Sequence, residues 1–222
     1  GGPAYSIQKT MAIREKYRQL QSENQVHFSW KFPASSYRFL SSYLSSEDAV
    51  LDIACGKGQG SRCLKDFSAR VVGVDMDEVY IRDAISTVGH IDGVQFTVGN
   101  AETFVEENAY DAVVSVHTLE HLKNSDAFFE CANLNLRGQG RLFLEVPLLL
   151  SHPLNMPLNP WHEKEYLLPE LVAKVRANGF VIDEIWVKQR HAFIQMSINN
   201  DHELENVPPK STAGLILAHK GM

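Results

Sequence analysis

With 222 residues, 44% of them hydrophobic and 22% charged, the chain has the length and composition of one globular domain, which excludes disorder as its main state. The 21 basic and 27 acidic residues leave a net charge of −6, and the Lys and Arg positions are scattered and form no stripe, so a protein that grips duplex nucleic acid through its phosphates is excluded and no nucleic-acid partner is expected. Three cysteines (Cys55, Cys63 and Cys131) share no metal-ligand spacing, and their odd number does not suit a disulfide scaffold, so a reducing, cytoplasmic setting is expected.

In chain order, Gly1, Gly2 and Pro3 have neither the basic nor the apolar region of a signal peptide. Residues 7–23 are polar with Ile7, Met11, Ile13, Tyr17 and Leu20 at helical spacing, which predicts an amphipathic helix. An aromatic stretch follows (Phe28, Trp30, Phe32, Tyr37, Phe39, Tyr43), with Pro33 placed to start a second helix. From there the rhythm changes. Short apolar runs at 49–53, 70–74, 94–98, 110–116 and 141–146 alternate with helical segments at 61–67, 78–88, 126–136 and 170–178, the last closed by Gly179. That alternation means βαβ crossovers: an α/β, doubly wound, mostly parallel sheet with helices on both faces. Runs at 180–188 and 212–219 have no convincing helix between them and are expected to pair antiparallel as a C-terminal edge hairpin, completing a seven-stranded sheet; 199–210 reads as a long loop. The domain division expected is an N-terminal helical cap over 1–45 and a Rossmann-like domain over 46–222. No apolar run approaches the ~20 residues of a spanning helix, so no membrane partner is expected. Nothing in the sequence fixes the oligomeric state.

The most informative stretch is VLDIACGKGQGS, where Gly56, Gly58 and Gly60 alternate between a strand and a helix. Glycines there let a backbone approach a ligand, and the N–H groups of the helix start supply donors. Asp75 ends the second strand, where a carboxylate in a doubly wound sheet can accept hydrogen bonds from a ribose diol. The dinucleotide fingerprint would want its third glycine at the position of Ser61, so the loop does not suit a pyrophosphate and an oxidoreductase reading is disfavoured. Asp52, just before the loop, suits a cationic or amino-acid-bearing ligand better than a phosphate.

Together with VVGVDMDE, VQFTVGNAE, YDAVVSVHTLEHL, GRLFLEVP and NPWHEKEY, this stretch resembles the class I S-adenosylmethionine-dependent methyltransferases of the small-molecule type, over roughly residues 49–180. The resemblance implies S-adenosyl-L-methionine as cofactor, with Ala54, Cys55, Gly56 and Gly58 against its methionine part, Asp75 on the ribose hydroxyls, Met76 on the adenine, and Asn100, Ala101 and Glu102 where the family reads the adenine amino group. Asn100 departs from the aspartate usual there.

Residues after strands four and five of such a sheet should face the reacting centre. Ser115 and Val116 are expected to border the cofactor. His117 is the first candidate for a base at the acceptor, with His121 and Glu145 as the other catalytic candidates; Glu145 is an unexpected carboxylate in an apolar strand. His152, Trp161, His162 and Glu163, in a proline-rich stretch, are expected to lid a small-molecule acceptor such as a sugar or other secondary metabolite. Their spacing matches no metal motif, and no metal is expected. A protein or tRNA acceptor and a non-catalytic cofactor-binding partner subunit remain the alternatives.

Overall fold

The computed structural model describes residues 31–149, 161–190 and 192–222. The helix expected over 7–23, the aromatics Phe28 and Trp30, and His152 lie outside the described residues. Elements follow as α1 (Ala34–Ser41), β1 (Ala49–Ile53), α2 (Gln59–Lys65), β2 (Arg70–Asp75), α3 (Glu78–Thr87), β3 (Val94–Val98) and β4 (Tyr110–Val116). A short 3-10 turn (Leu119–His121) precedes α4 (Ser125–Asn135) and β5 (Leu136–Pro147); then come α5 (Leu168–Ala177), β6 (Phe180–Gln189), β7 (Ala192–Met196), α6 (Asp201–Glu205) and β8 (Ala213–Lys220). Helix starts are set by local chemistry: the Asp77 carboxylate accepts from the Val79 and Tyr80 N–H groups, and the Asn124 side chain accepts from Ala127. Gly179, at φ +84°, ends α5 in a conformation an L side chain resists.

All eight strands join in one sheet of order β3-β2-β1-β4-β5-β8-β6-β7. Strands β1 to β5 run parallel, and β8 inserts antiparallel between β5 and β6. The sheet therefore has one more strand than expected, because 192–196 turns back on β6. The runs 180–188 and 212–219 pair antiparallel as expected, as β6 with β8, but the hairpin at the edge is β6–β7. Strand β8 lies inside the sheet, as its continuous buried run Ala213–Ala218 requires. Within the expected loop 199–210, Asn200 caps the short helix α6.

The central strands are buried on both faces, so their side chains alternate between two cores. Leu51, Ile53, Val72 and Val113 face a cluster with Phe128 and Phe129 of α4 and Leu171 and Val175 of α5. Val50, Ala112 and Val114 face Tyr37 and Leu40 of α1 and Leu64 of α2. No described helix is long and apolar enough to cross a membrane.

Candidate active site

Strand order reverses direction between β1 and β4, so the ligand crevice of this sheet lies beyond the carboxyl ends of those two strands. Both ends carry a non-glycine residue in the left-handed region: Ala54 at φ +58° after β1 and His117 at φ +55° after β4. Each costs roughly 1–2 kcal/mol, strain that is characteristic of positions holding a ligand or a reacting group.

The three glycines of the loop serve different ends. A Cβ on Gly56, at φ +54°, would meet nothing within 4 Å, so this glycine borders open space at the crevice. On Gly58, at φ +82°, it would strike the Phe96 ring at 2.6 Å, and on Gly60 it would enter the Tyr37 ring at 2.2 Å. Gly58 and Gly60 are thus small for the sake of packing, Gly60 because α1 lays Tyr37 across it.

Beneath the loop, Asp52 is fully buried on the α1–α2 face. Its carboxylate accepts from Ser61 Oγ at 2.7 Å and from the Tyr37 hydroxyl at 3.2 Å. Burial pushes its pKa up to about 7, against the two hydrogen bonds, which pull it down. Asp52 therefore braces the loop from below and presents no carboxylate to the crevice.

Asp75 sits half-buried at the end of β2, where Oδ2 accepts from the Gly56 N–H and Oδ1 from the Asp77 N–H, both at 2.9 Å. It locks the glycine turn and retains lone pairs on its open side. Met76 next to it is 72% exposed and Val98, at the end of β3, is 48% exposed, which leaves apolar surface beside Asp75. Asn100 Oδ1 accepts from the Glu102 N–H at 2.8 Å, Ala101 is half-buried, and Glu102 Oε1 accepts from the Asn124 N–H. Cys55 and Val116 are buried, and the Ser115 hydroxyl is buried without a hydrogen-bond partner among the described residues.

Across the crevice, His117 Nε2 lies 2.7 Å from Glu145 Oε2. Glu145 is fully buried, and Ser36 Oγ of α1 donates to its Oε1 at 2.6 Å while Lys188 Nζ of β6 donates to Ser36 Oγ at 2.7 Å. Burial alone would raise the Glu145 pKa, but the charge and hydrogen bond of His117, then Ser36 and Lys188, hold it below the usual range. Burial alone would lower His117, but its hydrogen bond to Glu145 and the charges of Glu145 and Glu120 carry it upward. An ionised Glu145 can only accept, so Nε2 of His117 bears a proton, and in the neutral imidazole Nδ1 holds the lone pair.

The expected acceptor residues divide. His121, Trp161 and His162 come together: His121 Nδ1 is 3.0 Å from the Trp161 carbonyl, and the two histidine rings stand edge to face at 4.8 Å. Trp161 and Glu163 are exposed, whereas His162 is buried. Sequence reasoning missed Glu120 and Glu165, which are buried within this group, and Ser36 and Lys188, which fix Glu145. The buried Glu in LEHL was a signal of the same kind as Glu145. A depression of about 500 Å³ lined by Arg70, His90 and Asp92 opens at the amino ends of β2 and β3 and holds none of these residues.

Residues 51–144 match the model of a methyltransferase domain. A protein of Mycobacterium tuberculosis described as a probable S-adenosylmethionine-dependent methyltransferase is 31% identical over 135 residues, covering 60% of this chain and 48% of that protein. The rat mitochondrial ubiquinone biosynthesis O-methyltransferase is 30% identical over 105 residues, covering 43% of this chain and 29% of its own length. The chain thus spans about half the length of the mycobacterial relative. Among solved structures, the YcgJ protein of Bacillus subtilis superposes with a TM-score of 0.65 at 16% identity, covering 85% of this chain and 99% of that one, a likeness of fold.

Proposed function

We propose that the chain, which belongs to the class I S-adenosylmethionine-dependent methyltransferases, transfers a methyl group to an oxygen or nitrogen atom of a small-molecule acceptor such as a sugar or other secondary metabolite. The observation that carries this reading is the pairing, across one switch point, of an open glycine turn after β1 with a histidine–carboxylate pair after β4.

The residues present fit the cofactor, because Gly56 leaves open the volume a Cβ would fill and Asp75, Met76 and Val98 offer an acceptor beside exposed apolar surface. Ala54 and Gly56 would border its methionine part, Asp75 its ribose and Met76 its adenine, with Asn100, Ala101 and Glu102 at the base edge. When bound, S-adenosylmethionine supplies an electrophilic methyl group on a sulfonium, which leaves as a neutral thioether when the acceptor atom takes the methyl carbon. The protein aligns the acceptor and excludes water from the crevice. His117, its Nε2–H held by Glu145, takes the acceptor proton on Nδ1, and Glu145 is a positioning residue in this scheme. The ubiquinone biosynthesis relative is named for O-methylation, which supports a hydroxyl on a small acceptor.

The test is methyl transfer from radiolabelled S-adenosylmethionine to a panel of small hydroxylated and amino acceptors, run beside protein and tRNA fractions. Label in the small-molecule fraction is expected; label confined to protein or tRNA overturns the acceptor class. On the labelled acceptor, His117→Asn should leave cofactor affinity within a few-fold while lowering turnover by roughly a hundredfold or more. Turnover unchanged across pH would leave His117 as pocket lining.

A further inference from the structure

We propose that Glu120, His121 and His162 form a binding site for one divalent first-row transition-metal ion, with zinc as the reference case. One ligand atom from each of the three lies within 4.8 Å of the other two. About forty residues separate His162 from the adjacent pair Glu120 and His121, so no motif spacing announces the site.

The Glu120 side chain is only 1% exposed, and neither of its carboxylate oxygens has a hydrogen-bond partner among the described residues. A carboxylate buried that way is costly unless a cation meets it. Two ring nitrogens face it, His121 Nε2 at 3.6 Å and His117 Nδ1 at 3.8 Å, both beyond hydrogen-bond reach. Its main chain, in contrast, is firmly held: the Glu120 carbonyl accepts from the Glu163 and Lys164 N–H groups at 2.7 and 3.1 Å, which binds the segment carrying His162 to the 3-10 turn carrying Glu120.

Both histidines are oriented in the way metal-binding histidines are. His121 Nδ1 donates to the Trp161 carbonyl, and His162 Nδ1 donates to Glu165 Oε1 at 2.6 Å, the latter pair being almost fully buried. With Nδ1–H given away, each Nε2 carries the lone pair, and a carboxylate or carbonyl behind the ring raises its basicity as a ligand. A tetrahedral ion with bonds of ~2.05 Å holds its donors ~3.4 Å apart. The Glu120–His121 separation of 3.6 Å is already close to that.

Two imidazoles and one carboxylate suit zinc, cobalt, iron or manganese better than calcium or magnesium, which prefer all-oxygen sites. Three protein donors leave a coordination position open, as at catalytic zinc centres. His117 Nδ1 stands on the Glu120 side, so the open position adjoins the candidate base and would receive an oxygen of the acceptor. That last role rests on the methyl-transfer reading; metal binding itself does not.

The experiment is a cobalt(II) titration of the full chain, read by visible d–d absorption and by displacement with zinc, alongside calorimetry with S-adenosylmethionine. One saturable equivalent is expected. Glu120→Gln and His162→Gln should weaken cobalt binding at least a hundredfold, and Glu165→Gln by ten- to a hundredfold, while the affinity for S-adenosylmethionine stays within a few-fold. His121→Gln serves as the variant whose folding is not in question, because that side chain is 40% exposed; it too should weaken cobalt binding at least a hundredfold. The absence of a saturable equivalent, or an affinity that these variants leave unchanged, overturns the metal site. Cobalt binding without S-adenosylmethionine binding upholds the metal site and overturns only the methyl-transfer reading. S-adenosylmethionine binding without cobalt binding overturns only the metal site.

Discussion

At the residue scale, the alternating glycines separate into one that borders open space at the crevice and two that clear space for side chains. Gly56→Ala should cost only about 1–2 kcal/mol of stability, for its positive φ, yet weaken S-adenosylmethionine at least tenfold because its Cβ enters open crevice space. Gly58→Ala should do the reverse, losing about 2 kcal/mol or more through its φ and the Phe96 contact, with the affinity of the remaining folded protein little changed. Denaturation and calorimetry on the pair distinguish the two. The glycine pattern was legible as a tight turn between β1 and α2, but which glycine borders open space was not, since Phe96 and Tyr37 reach the loop from distant elements. Asp52 was misread for the same reason: sequence places it beside the loop, and only the packing of α1 puts Tyr37 and Ser61 on its carboxylate. Its folded pKa of about 7 stands above the ordinary 3.8. The stability it contributes is therefore fully present below about pH 4 and is lost as pH rises through about 7. Asp52→Asn should flatten that window and be the more stable protein at pH 8, by on the order of a few kcal/mol; a parallel pH dependence in both proteins would remove Asp52 as its source.

At the element scale, α1 is joined to the wall of the candidate site by Ser36, which bridges Lys188 of β6 and Glu145 of β5. Ser36→Ala leaves a buried carboxylate oxygen unsatisfied, a cost of about 1–3 kcal/mol, and should lower the melting temperature by roughly 3–10 °C. It should also reduce turnover without moving cofactor affinity, since it loosens the partner of His117; an unchanged melting temperature would show that water replaces the hydroxyl. Helices α2 to α5 and the first five strands were legible because their apolar runs alternate at βαβ spacing, whereas α6 lies in a stretch that reads as a loop. Strand β7 was not, because Ala192–Met196 is short and half-exposed and gains its regularity only from pairing with β6. Strand β5 was read too short, since Arg137 to Gly140 look like turn residues and Gln139 adopts φ +61°. The Glu120–His162 group escaped notice because backbone hydrogen bonds, which sequence does not display, draw residues 162–165 onto the 3-10 turn.

At the scale of the whole molecule, the order β3-β2-β1-β4-β5 places these described candidate groups at one end of the sheet: the glycine turn and Asp75 on one side of the switch point, His117, Glu145 and the His162 group on the other. Such a division fits a donor bound over β1 and β2 and an acceptor presented over β4 and β5, with nothing required at the opposite end. The fold alone does not fix that chemistry, because one architecture carries many reactions. The most direct test of the central claim is calorimetric titration of the chain with S-adenosylmethionine, with NAD as the competitor reading of the same crevice. One site of micromolar affinity for S-adenosylmethionine and none for NAD are predicted, with Asp75→Ala weakening the former at least tenfold, as loss of hydrogen bonds to a charged acceptor worth about 1.5–3 kcal/mol each requires. Saturable NAD binding with no heat from S-adenosylmethionine, or an affinity that Asp75→Ala leaves untouched, would contradict it.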